Sequence, residues 1–218
     1  MERESLVQKE LAQATNLEVG AAIAKEQLKL AKLDVEFREL NHALECAKDF
    51  HNKFYLFADA MDLRNVTGCI EVLGVWDRLD EKCDIELAIH SGGGNALPGM
   101  MLFDYIGRLR RTHKVTTSVL GYAASMAAIV LQAGTHRVMG RESSIMIHEI
   151  SAQAVGKIGE IEDVTSFLPS LQSRIVNIFV KGSGGRIDEA TFIKNWQRRE
   201  WWLDSDEMLG WGFVDEVV

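Results

Sequence analysis

The stretch "KVTTSVLGYAASMAAIVLQAG", residues 114–134, changes its periodicity part-way along. Its first seven residues, KVTTSVL, mix β-branched and apolar side chains as a strand does. From Met126 onward, MAAIVLQAG reads as a buried helix stopped by Gly134. One hydroxyl, Ser125, stands at the junction, with Ala123 and Ala127 two positions to either side. Small residues there permit a sharp turn that lifts the hydroxyl clear of the backbone. The helix start then offers amide groups and the positive dipole end to a developing oxyanion. A lone serine among alanines also suits close helix packing, so Ser125 alone leaves a packing role and a nucleophilic role both open. The pattern is a mechanical relative of the hydrolase G-x-S-x-G elbow and not a copy of it.

Working outward, strand and helix signals alternate. KFYLFA (53–58) reads as a strand, about 65–80 as a helix, and DIELAIH (84–90) as a strand. A glycine turn follows, then a helix over about 97–111 that leads into the strand before Ser125. This order predicts an α/β fold of parallel strands joined by crossover helices. A further strand pair is expected around HRVMG and SSIMIHE. Residues 156–185 read as a long helix with Pro169 inside it and a glycine-rich stop, and GFVDEVV closes as a turn and short strand.

Two other segments carry polar chemistry. HSGGGN (90–95) follows a strand, and three consecutive glycines let backbone amides face a bound atom with no Cβ in the way. It fits neither dinucleotide nor nucleoside-triphosphate loop spacing, and a simple tight turn explains it equally well. MIHE (146–149) ends an apolar run with His148, a candidate general base for Ser125. The other five histidines have no comparable setting, although His90 adjoins the glycine loop.

Composition bounds the classes. With 218 residues and 47% hydrophobic content, the chain can bury a full core. A formal charge of −8 with no basic stripe argues against nucleic acid as a partner. No apolar run reaches the 18 or so residues that span a bilayer, and the charged start MERESLVQKELAQ is unlike a signal peptide, so a cytoplasmic protein without a membrane partner is expected. Cys46, Cys69 and Cys83 form no close pair, which predicts neither disulfide nor metal site.

The first 52 residues read differently. From Leu30, the apolar positions Leu30, Leu33, Phe37, Leu40, Leu44 and Ala47 step by 3, 4, 3, 4, 3, a heptad seam on a helix with charged flanks. A helix lying on its own domain and one that meets a partner both fit this pattern.

Together these segments resemble the Clp protease proteolytic-subunit family, serine peptidases of the crotonase-like superfamily. The resemblance runs from about Lys53 to Val218. It rests on HSGGG for the family's serine-proline-glycine-glycine loop, GYAASMAA for its nucleophile motif and SSIMIHE for its histidine motif. DEMLGWGFVDEVV matches its C-terminal signature, and GKIGEIED resembles the start of the helix by which two rings dock. Ser125 and His148 stand 23 residues apart, in family order.

The resemblance implies a crotonase-like fold over 53–218, with 1–52 as a helical extension that is a propeptide, a plug or a docking helix. It implies Ser125 as nucleophile, His148 as base, the amides of Gly94 and Met126 as oxyanion hole, and substrate pairing along Gly93, Asn95 and Ala96. It further implies unfolded polypeptide as substrate, homo-oligomeric rings (heptamers, stacked as tetradecamers), an AAA+ unfoldase partner and no cofactor or metal. A bacterial or phage setting fits, the latter with capsid or scaffold processing.

The third member of the triad breaks the pattern. Counting back from GFVDEV, the family's aspartate falls at Asn195 or Trp196, and residues 192–203 contain no aspartate. Asn195 is the expected third residue, with Glu200 and Asp188 as alternatives. An asparagine can orient a histidine ring but cannot stabilise its cation as a carboxylate does. A catalytically weak or silent ring subunit is therefore a competing expectation, and an acyl-CoA enzyme that holds a thioester oxyanion on the glycine loop is another. Gly92 replaces the family's proline, and Ala127 replaces a glycine.

Overall fold

A computed structural model describes residues 2–80, 82–151 and 155–218. The chain divides into two compact units, 1–52 and 53–218. The first is essentially one helix, α1 (Glu2–Cys46).

The second unit is α/β, with element order β1 (Phe54–Phe57), α2 (Leu63–Leu79), β2 (Ile85–Ser91), α3 (Ala96–Leu109), β3 (Val115–Ala124), α4 (Met126–Leu131), β4 (His136–Met139) and β5 (Ser144–Ile147). There follow α5 (Ile158–Gly182), α6 (Glu189–Trp196), β6 (Trp201–Leu203), α7 (Ser205–Trp211) and β7 (Glu216–Val217). The strands form a seven-stranded sheet, β1-β2-β3-β4-β7, with β5 on β3 and β6 on β5. Every pairing is parallel except β5 with β6.

Local chemistry sets the boundaries. Asp62 caps α2 by accepting from the Asn65 amide at 2.8 Å, and Asn95 caps α3 by accepting from Leu97 at 3.0 Å. Gly212, in the left-handed region at φ 72°, ends α7. The strand β2 buries Ile85, Leu87, Ala88 and Ile89 as a near-continuous apolar run, as a strand covered by crossover helices must. Trp76 of α2, Ile106 of α3 and Val130 of α4 share one core with it.

The two strands expected around 136–147 both form, but they do not pair with each other. β4 takes the first half of β3 (Thr116–Val119) and β5 takes its second half (Tyr122–Ala124). The strand β3 also runs past Gly121 to Ala124, four residues beyond the KVTTSVL segment (114–120) that reads as a strand.

An ion pair between the buried Arg137 and the exposed Asp215 ties the C-terminal segment to the sheet. The Arg137 guanidinium donates to both Asp215 carboxylate oxygens, at 2.6 and 3.0 Å, to Gln132 at 2.7 Å and to the Gly182 carbonyl at 3.0 Å. Replacing it leaves several acceptors unsatisfied, so Arg137→Ala is expected to lower unfolding free energy by about 3 kcal/mol in denaturant titration. Burial alone would raise the Asp215 carboxyl, but the hydrogen bonds and charge of Arg137 outweigh it and hold the carboxyl below its usual range. With the folded-state value depressed, its contribution to stability is full above about pH 4 and is lost as pH falls further.

Among the described residues, no helix is long and apolar enough to cross a membrane. No described group of histidine, cysteine, aspartate and glutamate residues is arranged to hold a metal ion.

Candidate active site

Strand pairing brings the two polar candidates together. In the parallel register of β3 with β5, Ala123 faces Ile145 and Ala124 faces Met146. The Ser125 amide then donates to the Met146 carbonyl at 2.8 Å, which fixes the turn to the strand whose extension carries His148. The result is a 2.8 Å hydrogen bond between Ser125 Oγ and His148 Nε2, both residues being half-buried. Ser125 adopts φ 55°, ψ −123°, a left-handed conformation that costs a non-glycine residue of order 1–3 kcal/mol. The core holds that strain in place: Ala123 and Ala127 are fully buried, and larger side chains there would displace the turn. Ser125 precedes α4 but makes no capping hydrogen bond, so its hydroxyl points to the histidine and away from the helix.

The glycine loop lies against the same turn. Gly93 has φ 87°, and a Cβ there would stand 2.5 Å from the Ala124 carbonyl oxygen and 2.9 Å from both the Met126 nitrogen and Ser125 Cβ. Only glycine permits this approach. The Met61 backbone runs alongside, donating to the Gly93 carbonyl and accepting from the Asn95 amide, both at 2.8 Å. Met61 thus occupies one edge of the loop, and the amides of Gly94 and Met126 donate to no group among the described residues. Two free donors therefore flank a serine hydroxyl bonded to an imidazole, an arrangement able to support acyl transfer through a tetrahedral intermediate.

A cavity of about 720 Å³ opens over this group, within the range of small-ligand and peptide-side-chain sites. Gly94, Asn95, Ala96, Ser125 and His148 line one side of it.

Comparison with known proteins gives this geometry a context. A family model described as Clp protease matches residues 50–218. The chain belongs to the Clp protease family. It is 31% identical over 144 residues to the ATP-dependent Clp protease proteolytic subunit of Dehalococcoides mccartyi, covering 65% of this chain and 70% of that protein. It is similarly 31% identical over 141 residues to the ATP-dependent Clp protease proteolytic subunit 3 of Rhodococcus jostii, covering 64% and 67%. Subunit 2 of Chlamydia pneumoniae gives 30% identity over 141 residues.

The residues expected to complete a triad with Ser125 and His148 are engaged elsewhere or lie apart. The Asn195 side-chain amide donates to the Thr191 carbonyl, one turn back on α6, at 3.0 Å. No hydrogen bond joins Asn195 to His148 among the described residues, and His148 Nδ1 has no partner there. Trp196, the other aligned position, is buried against Phe192 in the core. Asp188 caps α6, accepting from the Thr191 amide at 2.7 Å, and those hydrogen bonds hold its carboxyl below the usual range. Glu200 is exposed. With its amide already engaged, Asn195→Ala is expected to change peptide hydrolysis by less than tenfold. A larger fall in kcat would make Asn195 the residue that orients His148.

Two further features of the candidate site were not legible in the sequence as functional. Glu149 accepts from Gln172 at 2.8 Å and from the Arg198 amide at 2.7 Å, which ties the histidine strand to α5 and to the turn after α6. Phe167, Leu171 and Ile175 of α5 form an apolar wall of the cavity. Their spacing of four places them on one helix face, a signal present in the sequence but indistinguishable there from ordinary core packing. The cysteines stand apart from this chemistry, and burial pushes the Cys69 thiol up to about 12, where it stays protonated and inert.

Proposed function

We propose that this chain is a serine endopeptidase of the Clp proteolytic-subunit type that cuts unfolded polypeptide. The observation that carries the reading is the 2.8 Å bond between Ser125 Oγ and His148 Nε2 at a strained elbow beside two free amides. An extended peptide would enter along the loop edge that Met61 leaves open, near Gly94 and Ala96, with an apolar side chain against the α5 wall. His148 Nε2 would take the Ser125 proton as Oγ attacks the scissile carbonyl. The amides of Gly94 and Met126 would hold the resulting oxyanion. His148 would then protonate the leaving amine, and water would release the acyl-enzyme by the reverse sequence. No cofactor is needed for any of these steps.

Family membership supports further parts of the proposal: homo-oligomeric rings, heptameric and stacked in pairs, that enclose the sites, and an ATP-driven unfoldase that delivers substrate. Incubation of the purified full chain with a permanently unfolded polypeptide tests the core reading. Internal cleavage that disappears in Ser125→Ala is the expected result, and an intact substrate with the assembled wild-type protein would overturn it.

One observation favours a second reading, a weak or silent ring subunit. His148 Nδ1 must carry the proton when Nε2 accepts from Ser125, and no described carboxylate receives it. In serine peptidases the loss of that carboxylate costs about 10⁴-fold in kcat. Co-purification distinguishes the two readings: a silent subunit would bring a second Clp-type chain with a full triad in the same particle.

A further inference from the structure

The heptad seam of α1 continues N-terminal of Leu30. Because α1 is one unbroken helix from Glu2 to Cys46, the 3,4 spacing extends back through Glu26 and Ile23 to Val19. Val19, Ile23, Leu30, Leu33, Phe37, Leu40 and Leu44 are each more than half exposed. From Val19 to Leu44 is 26 residues, close to four heptads and about 39 Å of helix. A straight helix packing on a globular surface follows a 3.6-residue period, whereas a strict 3.5-residue repeat over this length suits another helix of the same kind.

We infer that α1 pairs in parallel and in register with α1 of a second copy of this chain. Taking Leu30, Phe37 and Leu44 as a positions and Leu33 and Leu40 as d positions puts Lys29 at g and Asp34 at the following e. In parallel register, g of one helix meets that e of its partner, so Lys29 faces the second copy's Asp34, and the pair forms twice per dimer. Among the described residues these side chains make exposed contacts, Lys29 with Glu26 at 3.5 Å and Asp34 with Arg38 at 2.7 Å, which remain compatible with the interhelical pair. Glu26 occupies a d position and is the one charged residue in the seam between Val19 and Leu44; in-register pairing sets the two copies' carboxylates against each other there, a cost that the apolar positions from Leu30 to Leu44 must outweigh. The inference concerns assembly through α1 and does not depend on peptidase activity.

Disulfide trapping in the full chain tests it. Leu40→Cys places one thiol at a d position, where parallel in-register helices bring the two copies' Cβ atoms together. Val35→Cys places one at f, on the outer face, and native Cys46 falls at c, also outside the seam. Under mild oxidation, Leu40→Cys is expected to yield a disulfide-linked dimer on non-reducing gels, while Val35→Cys and the native chain stay at least tenfold less cross-linked. Adding Leu33→Asp to Leu40→Cys should cut the dimer at least tenfold. A Leu40→Cys chain that stays monomeric, or a Val35→Cys chain that cross-links equally well, would overturn the inference.

Discussion

His148→Ala is expected to lower kcat for peptide hydrolysis by about 10³-fold or more, with KM little changed. His148 Nε2 is the one base within hydrogen-bond reach of Ser125 Oγ among the described residues. Without it, the hydroxyl keeps its proton at neutral pH and the leaving amine has no donor. The residual rate should come from the Gly94 and Met126 amides and from substrate positioning alone. Because His148 is half-buried and outside the apolar core, the melting temperature should fall by no more than a few degrees. Steady-state kinetics beside a thermal melt reads both. A loss in KM with kcat intact would instead assign His148 to substrate binding.

The second large effect belongs to a residue with no reactive group. Gly93→Ala puts a methyl group 2.5 Å from the Ala124 carbonyl oxygen and 2.9 Å from the Met126 nitrogen, at a backbone φ of 87°. The loop and the elbow must then separate, and the separation moves the Gly94 amide relative to that of Met126. Loss of one oxyanion donor typically costs 10²–10³ in kcat, so a fall of about 10²-fold is expected, with a stability cost of about 1–3 kcal/mol from overpacking. Gly92→Ala is the control. Its nearest contact is the Tyr122 hydroxyl at 3.5 Å, and its backbone is not in the left-handed region. Activity within about threefold of wild type is expected there.

Much of this architecture was legible in the residues. The α/β alternation from residue 53 onward follows from apolar runs and glycine punctuation, and the long helix with Pro169 inside it appears as α5. The segment that reads as a strand ends at Leu120, just before Gly121. The Gly121 φ of 83° makes a bend that resembles a strand end, yet the strand continues because its second half pairs with β5 while a register shift between Ile89 and Ser91 absorbs the bend. The turn gives no local sign of that pairing. Residues 186–205, with mixed polarity and a tryptophan pair, did not announce α6 or the antiparallel β6, whose contacts with β5 are long-range.

The site divides in the same way. Ser125, His148 and the glycine loop were readable because each chemistry demands a residue type at a structural junction. Whether Ser125 and His148 meet was not readable, since it depends on the register of β3 against β5. The third position was the least accessible. Asn195 satisfies a helix carbonyl, Asp188 caps a helix and Trp196 fills the core, three local roles that alignment by counting cannot separate.

The most direct test of the central claim is covalent labelling of the purified, assembled protein with a fluorophosphonate, with the adduct located by peptide mass spectrometry. Attack by an activated serine expels fluoride and leaves a phosphonyl group on its oxygen, so the probe reports nucleophilicity without a chosen substrate. One adduct is expected, on Ser125, absent in Ser125→Ala and formed far more slowly in His148→Ala. An unlabelled Ser125 in the assembled wild-type protein would contradict the claim.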